Sequence, residues 1–303
     1  METPLAVAVI VNPHAGKGRA RRAADEAIAE LRMHAADVRV YDGGSAAEAR
    51  RLAHHALALN PDVLVVVGGD GTLSGLAGLL MQTEVPVALV PAGTGNDLAR
   101  ALGLPLRDAA AAARVALRGS MRVIDVGEVH SAGDVTPFLT VAALGFDAKV
   151  SDRTNRLRWP RGALRYYLAL VIELIRLRPV RFRVVVDGAD SVPAPGTLIA
   201  VGNTASYGGG MPVCVGAEPD DALFDVVHVA PLTRRRLLRL FPRLLRGSHL
   251  GLPEVRHRRA HTVDVSAPDL VVYADGERVG SDTCRITVRP GALRVLVGVP
   301  TLS

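Results

Sequence analysis

Lysine is almost missing from this chain: Lys17 and Lys149 are the only two among 36 basic residues, and arginine supplies the rest. Cysteine is as scarce. Cys214 and Cys284 stand alone, which excludes a disulfide framework and leaves both as small buried side chains. Nine histidines occur without metal-ligand spacing, and the adjacent pair His54 and His55 falls on the surface of a predicted helix, so zinc chemistry is not supported. Aromatic residues make up 4% of the chain, too few for the stacking platforms that hold nucleic acid, which is not expected as a partner. No stretch approaches the ~18 uncharged apolar residues that a spanning helix needs. The opening run Leu5 to Val11 has no basic segment ahead of it. It reads as a first strand rather than an export signal, and a cytoplasmic location is expected.

What is present is a chain of 303 residues, 49% of them hydrophobic, with ample means to bury a core and length enough for two domains. The formal net charge of +6 and a pI near 9.9 favour anionic partners such as nucleotide phosphates or an anionic membrane surface.

Three strand–turn–helix units organise the first part. Val7 to Val11 ends in Asn12-Pro13-His14-Ala15-Gly16-Lys17-Gly18 ahead of a helix over Arg19 to His34. Val63 to Val67, a β-branched run suited to burial on both faces, ends in Gly68-Gly69-Asp70-Gly71-Thr72 ahead of a helix from about Leu73 to Met81. Val85 to Val90 ends in Pro91-Ala92-Gly93-Thr94-Gly95-Asn96-Asp97-Leu98. A further strand, Asp37 to Tyr41, and helices over Ala46 to Leu59 and Leu106 to Arg118 complete the alternation, which predicts a three-layer α/β domain with a mainly parallel sheet. Parallel strands place all three polar turns on one sheet edge, where such folds bind ligands and where backbone N–H groups at helix starts hold phosphates. The first turn lacks the spacing of a Walker A loop.

Beyond Met121 the pattern changes to runs read as strands: Val123–Val129, Phe138–Ala143, Arg181–Val186, Thr197–Val201, Phe224–Val229, His261–Val265, Leu270–Ala274, Cys284–Val288 and Leu293–Val297. They predict a mainly antiparallel β-sandwich. The expected domains are residues 1–125, residues 126–289, and a strand in 290–303 that returns to the first domain. Two helices interrupt the β region. Arg161 to Leu177 carries Leu164, Tyr167, Leu168, Val171, Ile172 and Ile175 among arginines. Thr233 to Leu245 begins with a plausible N-cap, carries Leu237, Leu240, Phe241 and Leu244 on one face, and contains Pro242, expected to kink it. Such basic amphipathic helices either lie on an anionic bilayer or dock on the sheet with their arginines in water.

Asp275-Gly276-Glu277 is well explained as a hairpin turn, and its functional reading is a general base that could take a proton from an attacking hydroxyl. Four carboxylates between Glu218 and Asp225 make either a solvated acidic loop or a hard-cation site. Gly202-Asn203 and Gly208-Gly209-Gly210 mark another loop that a ligand could approach closely.

Taken in order, Asn12-Pro13-x-Ala15-Gly16, Gly68-Gly69-Asp70-Gly71-Thr72, Pro91-x-Gly93-Thr94-x-Asn96-Asp97, Gly145-Phe146-Asp147-Ala148, Gly202-Asn203, Gly208-Gly209-Gly210, Pro219-Asp220-Asp221 and Asp275-Gly276-Glu277 resemble the diacylglycerol kinase catalytic family. The likeness is to its soluble bacterial lipid kinases, related to sphingosine and ceramide kinases. The Gly-Gly-Asp-Gly-Thr turn alone is shared with NAD kinases and, loosely, phosphofructokinases. The resemblance implies an NAD-kinase-like first domain, ATP in a cleft between the domains, and transfer of phosphate to the hydroxyl of diacylglycerol or a related lipid. It implies nucleotide contacts from Asn12, Pro13, His14, Ala15, Gly16, Gly68, Gly69, Asp70, Gly71, Thr72, Leu73, Ser74, Gly75, Thr94, Asn96 and Asp97, with Asp70 near the phosphates and catalytic Mg²⁺. Glu277 would be the proton acceptor, with Asp275 also considered for that role. A structural Mg²⁺ would use Asp221 and carbonyls near Glu218 and Leu223. The substrate implies transient contact with a membrane surface through Arg153–Arg165 and Arg234–Arg246, and a homodimer is left open.

Several positions depart from the family pattern. Ser74-Gly75 stand where Asn-Glu is common, Tyr41 where Thr is common, and Arg158 and Arg161 where lysines are common. Ala222 replaces a glycine after Asp221, and a positive φ there would be costly, so an altered metal loop is expected. The alternatives are an NAD kinase, or a non-catalytic nucleotide- or lipid-binding regulator.

Overall fold

A computed structural model describes residues 5–299 apart from 36, 158, 160–162 and 191–193. Arg158 and Arg161 therefore lie outside the described residues. The chain divides into two compact units, Met1–Asp125 with Pro290–Ser303, and Val126–Arg289.

In the first unit the elements are β1 (Ala6–Val11), α1 (Arg19–His34), β2 (Asp37–Asp42), α2 (Ala46–Leu57), β3 (Val63–Gly68), α3 (Asp70–Leu80), β4 (Val87–Pro91), α4 (Asp97–Ala101), α5 (Ala109–Arg118) and the start of β5 (Ser120–Ser131). The sheet is parallel in the order β2-β1-β3-β4, and the returning segment adds beside β4 through Val295 and Val87. Every residue of β3 is buried, as its unbroken apolar run requires of a central strand. Alternation then sorts side chains by face. Val7, Val9, Val11, Val63, Val65 and Val67 pack against the alanine-lined faces of α1 and α5, including Ala20, Ala24, Ala27, Ala112 and Ala116. Small side chains there let helix approach sheet closely. Ala8, Ile10, Leu64 and Val66 are equally buried on the opposite pleat.

The second unit continues with β6 (Asp134–Phe138), β7 (Val141–Gly145), α6 (Phe146–Arg156), α7 (Ala163–Ile175), β8 (Val180–Val186), β9 (Ala189–Asp190), β10 (Ala194–Gly196), β11 (Leu198–Gly202), β12 (Phe224–Val229), α8 (Arg234–Leu245), β13 (Val255–Ala260), β14 (Thr262–Ala274) and β15 (Glu277–Val297). Strands β13-β12-β11-β7-β14 form an antiparallel sheet. β14 changes partner along its length: Val263–Ser266 pair with β8 and Val272–Ala274 with β7, while its register against β15 shifts between Ser266 and Val271. A bulge bends a strand and raises its twist, which is how one strand turns the corner of a sandwich. Phe138, Phe182 and Phe224 fill the core between the layers, the rings of Phe138 and Phe224 stacking at 5.7 Å. The α/β and β-sandwich architecture is thus as expected.

Several details differ. Helix α3 begins at Asp70, not Leu73, because an acidic residue in the first turn complements the helix dipole and Gly69 serves as N-cap. Helix α6, built on the Gly-Phe-Asp-Ala motif, has no counterpart among the predicted elements. Its apolar residues are few, and amphipathic periodicity missed it. The predicted strand Phe138–Ala143 is two strands divided at Leu139-Thr140. Conversely His261–Val265 and Leu270–Ala274 are one bulged strand, and Cys284–Val288 and Leu293–Val297 are one strand. Thr233 caps α8 through its side-chain oxygen, and Leu237, Leu240 and Leu244 pack on the core of the second unit. The helix is therefore docked by this face, with Pro242 inside it. Both cysteines are buried and free.

Candidate functional site

In the first unit the three polar turns are hydrogen-bonded into one surface. The backbone N–H of Asn12 donates to the Val67 carbonyl at 3.1 Å, and that of Ala92 to the Gly68 carbonyl at 2.8 Å, so the turns leave adjacent strands in register. The Asn12 side chain spans two of them: its amide donates to Thr72 Oγ1 at 3.0 Å, while its oxygen accepts the His14 N–H at 3.1 Å. Arg19 joins the first to the third, donating to the carbonyls of Gly16 and Gly93 at 3.1 and 3.0 Å.

Close approach explains the glycines. A Cβ on Gly16 would stand 1.9 Å from the Ala92 carbonyl oxygen, and Gly16 also adopts φ +60°. Gly69 and Gly93 pack back to back, and a Cβ on Gly93 would lie 2.5 Å from the Gly69 Cα.

Asp70 is the hinge between the second and third turns. Its Oδ2 accepts the Asp97 N–H at 3.0 Å and its Oδ1 the Leu98 N–H at 3.1 Å, capping α4 in place of Asn96, whose side chain bonds Gly93 instead. Thr94 is exposed and Asp97 is buried. Leu73 is also buried, on the core side of α3, and its N–H donates to the Gly69 carbonyl at 3.3 Å. Ser74 turns back to the Asp70 carbonyl. Gly71 and Gly75 lie on the outer face of α3, and a Cβ on either would meet nothing within 4 Å.

In the second unit a different set converges. Asp275 and Gly276 form the two-residue tip of the β14–β15 hairpin, with φ +48° and +86°; positive φ at both positions marks a type I′ turn, which selects Asp-Gly. The Asp275 carboxylate accepts the N–H groups of Leu139 and Thr140 at 2.7 and 2.9 Å, and the Thr140 hydroxyl as well. Asn203 bonds the same junction, its N–H to the Thr140 carbonyl at 2.8 Å and its side chain to the Leu139 carbonyl at 3.1 Å. Glu277 stands exposed at the start of β15. Helix α6 reaches the hairpin through Asn155, whose amide donates to the Gly276 carbonyl at 3.5 Å, and through Asp152, which accepts from the Tyr273 hydroxyl at 3.3 Å. Sequence reading missed Thr140, Asn155 and Tyr273 because nothing local distinguishes them.

At the other end of α6, Asp147 is buried, and its Oδ2 has no hydrogen-bond partner. Burial pushes this carboxyl up to about 6, against a lowering by the Tyr207 hydroxyl.

The acidic loop is tied down by other means. Ala222 does adopt the left-handed conformation, φ +62°, so the turn keeps its shape without glycine. Asp221 accepts the Leu223 N–H at 3.0 Å and forms an ion pair with Arg259. Glu218 is exposed. With a guanidinium on the Asp221 carboxylate, the side chains as placed do not fit a structural Mg²⁺. Among the described residues no group of three or more His, Cys, Asp or Glu could hold a metal ion.

A parallel sheet with glycine turns in one unit and an antiparallel sandwich in the other define a class of kinase fold, and comparison with known proteins narrows it. Residues 6–129 match the Diacylglycerol kinase catalytic domain, and residues 140–297 match the YegS C-terminal NAD kinase beta sandwich-like domain. A Diacylglycerol kinase of Mycobacterium tuberculosis is 44% identical over 291 residues, covering 96% of this chain and 94% of the relative. The crystal structure of a diacylglycerol kinase from Bacillus anthracis superposes with a TM-score of 0.72 at 20% identity over 98% of each chain. An NAD kinase from Archaeoglobus fulgidus in complex with ATP shares the fold more distantly, with a TM-score of 0.53 at 14% identity over 96% of this chain and 93% of the other. The chain belongs to the diacylglycerol kinase family and is a lipid kinase. Among the described residues no helix is long and apolar enough to cross a membrane.

Proposed function

We propose that the enzyme transfers the γ-phosphoryl group of ATP to the free hydroxyl of diacylglycerol or a closely related lipid, giving a phosphorylated lipid and ADP. The observation that carries this reading is the joined surface of three glycine turns, alongside 44% identity to a diacylglycerol kinase over nearly the whole chain.

The roles follow from what each group can still do. The close-packed turns Asn12–Gly16, Gly68–Thr72 and Gly93–Asp97 offer backbone N–H groups and no bulk, which suits a polyphosphate. Mg²⁺ carried with ATP would neutralise phosphate charge. Asp70 is the carboxylate that would hold it, since its two oxygens accept the N–H groups of Asp97 and Leu98 and a carboxylate oxygen has two lone pairs. Glu277 accepts the hydroxyl proton as the lipid oxygen bonds to phosphorus and the bond from phosphorus to the β–γ bridging oxygen breaks. Asp275 is already the acceptor of three donors, so it positions the hairpin rather than taking the proton. Membrane contact through α7 and the outer face of α8, where Leu238 and Arg239 are exposed, brings the enzyme to its substrate.

Incubation with radiolabelled ATP and a mixed lipid extract tests this. A labelled phospholipid that vanishes in Glu277→Gln supports it. Labelled NADP from added NAD, or ATP binding with no labelled product, would replace it with a different activity or with a regulator.

A further inference from the structure

The second unit contains a cavity of about 500 Å³ that neither Asp275 nor Glu277 lines. Its charged lining is Lys149, Arg153, Arg176, Arg178 and Arg234 against the single carboxylate Glu173. Phe146, Lys149 and Arg153 fall at i, i+3 and i+7 on α6, so one helix face supplies an apolar wall and two cations. Arg153 is spent on Glu173, which is buried. Arg234 donates to the carbonyls of Leu174 and Ile175, closing the C-terminal end of α7, whose bare carbonyls would otherwise repel an anion. Lys149, Arg176 and Arg178 have no carboxylate partner among the described residues. Cations gathered around a concave space repel one another unless an anion enters it.

The helix leading into this cavity is apolar on its outside. Leu164, Val171 and Ile175 are 66%, 50% and 62% exposed, and their spacing places them on one face of α7, with Ile175 itself lining the cavity. An apolar helix face that runs into a basic hollow matches the cross-section of an anionic bilayer, acyl boundary beside phosphate. Neither half alone selects that partner; the junction at Ile175 does.

We propose that this cavity receives the phosphate of an anionic phospholipid headgroup, held by Lys149, Arg176 and Arg178, while the α7 face rests in the acyl boundary. The site seats the kinase on anionic membrane and does not take part in phosphoryl transfer. It deepens the lipid-kinase reading and rests on it.

The experiment is sedimentation of the full chain, without ATP, with phosphatidylcholine vesicles with and without phosphatidylglycerol. Wild type is expected to partition onto the anionic vesicles, and Arg176→Gln with Arg178→Gln to lower that partition about thirtyfold, from roughly 1 kcal/mol per surface cation. Ile175→Ser, which leaves the charges in place, is expected to lower it as well. Both arginines are exposed, so the double variant should unfold at the wild-type temperature. Unchanged partition of the double variant overturns the proposal. So does release of wild type by inorganic phosphate beyond that by chloride at equal ionic strength, which would make the cavity a free-phosphate site. Phosphorylation of short-chain diacylglycerol in neutral micelles reads the kinase activity separately. It should be equal in wild type and double variant, and its absence from wild type would count against the kinase reading, not against the membrane site.

Discussion

Thr140 donates both its backbone N–H, at 2.9 Å, and its hydroxyl to the same oxygen of Asp275. This doubly held oxygen separates the two carboxylates of the Asp-Gly-Glu turn. One is fastened into the sandwich and the other is exposed two residues away. Glu277→Gln is expected to lower turnover by about 10²–10⁴-fold with an unfolding curve like wild type, as loss of a general base requires. Asp275→Asn replaces an acceptor oxygen with a donor facing N–H groups, and should cost about 1–3 kcal/mol of stability in urea unfolding. Wild-type stability in Asp275→Asn together with full loss of activity would reverse the two roles.

Glycine substitutions in the first unit should divide by space. Gly16→Ala places a methyl 1.9 Å from a carbonyl oxygen at a positive φ, so nucleotide binding measured by calorimetry should be lost. Gly75→Ala meets open space in the interior of α3 and should stabilise the fold by about 0.5–1 kcal/mol, read as a rise in Tm.

Ala222 sits at φ +62°, a conformation that costs a non-glycine residue about 1–2 kcal/mol. Ala222→Gly removes that strain but frees the unfolded chain, so a gain of up to about 1 kcal/mol is expected in thermal unfolding. Destabilisation would show that the alanine methyl makes a packing contact that outweighs the strain.

Asp147 makes stability depend on pH with a definite sign. Its carboxyl is pushed up to about 6 in the folded chain by burial, above its unfolded value, so the folded state binds the extra proton. Between about pH 4 and pH 6 stability falls as pH rises, by about 3 kcal/mol in all at the upper end, and is recovered on acidification. Asp147→Asn should flatten this part of the urea-unfolding profile. An equal slope in variant and wild type would refute the assignment.

Much of the first unit was legible without coordinates. Buried β-branched runs such as Val63–Val67 end in glycine turns, and that contrast is local in the chain. Even so, the start of α3 at Asp70 was misplaced, because a polar and glycine-rich first turn reads as loop. In the second unit the limit was stronger. Helix α6 carries few apolar residues, Phe146, Ala148 and Val150 among them, and the partners of Asp275 lie 135 and 136 residues away.

The sequence by itself determined the class of fold, the order of its motifs and the residue types able to hold phosphate or take a proton, since strand pattern and turn chemistry are set by neighbours in the chain. Only the tertiary structure decided which of those groups remain available. It capped α4 with Asp70, fastened Asp275 to Thr140, put Arg259 on Asp221 and brought Lys149, Arg176 and Arg178 around one hollow. Each outcome depends on a hydrogen bond, ion pair or approach between distant segments, and strand registry and packing set those distances.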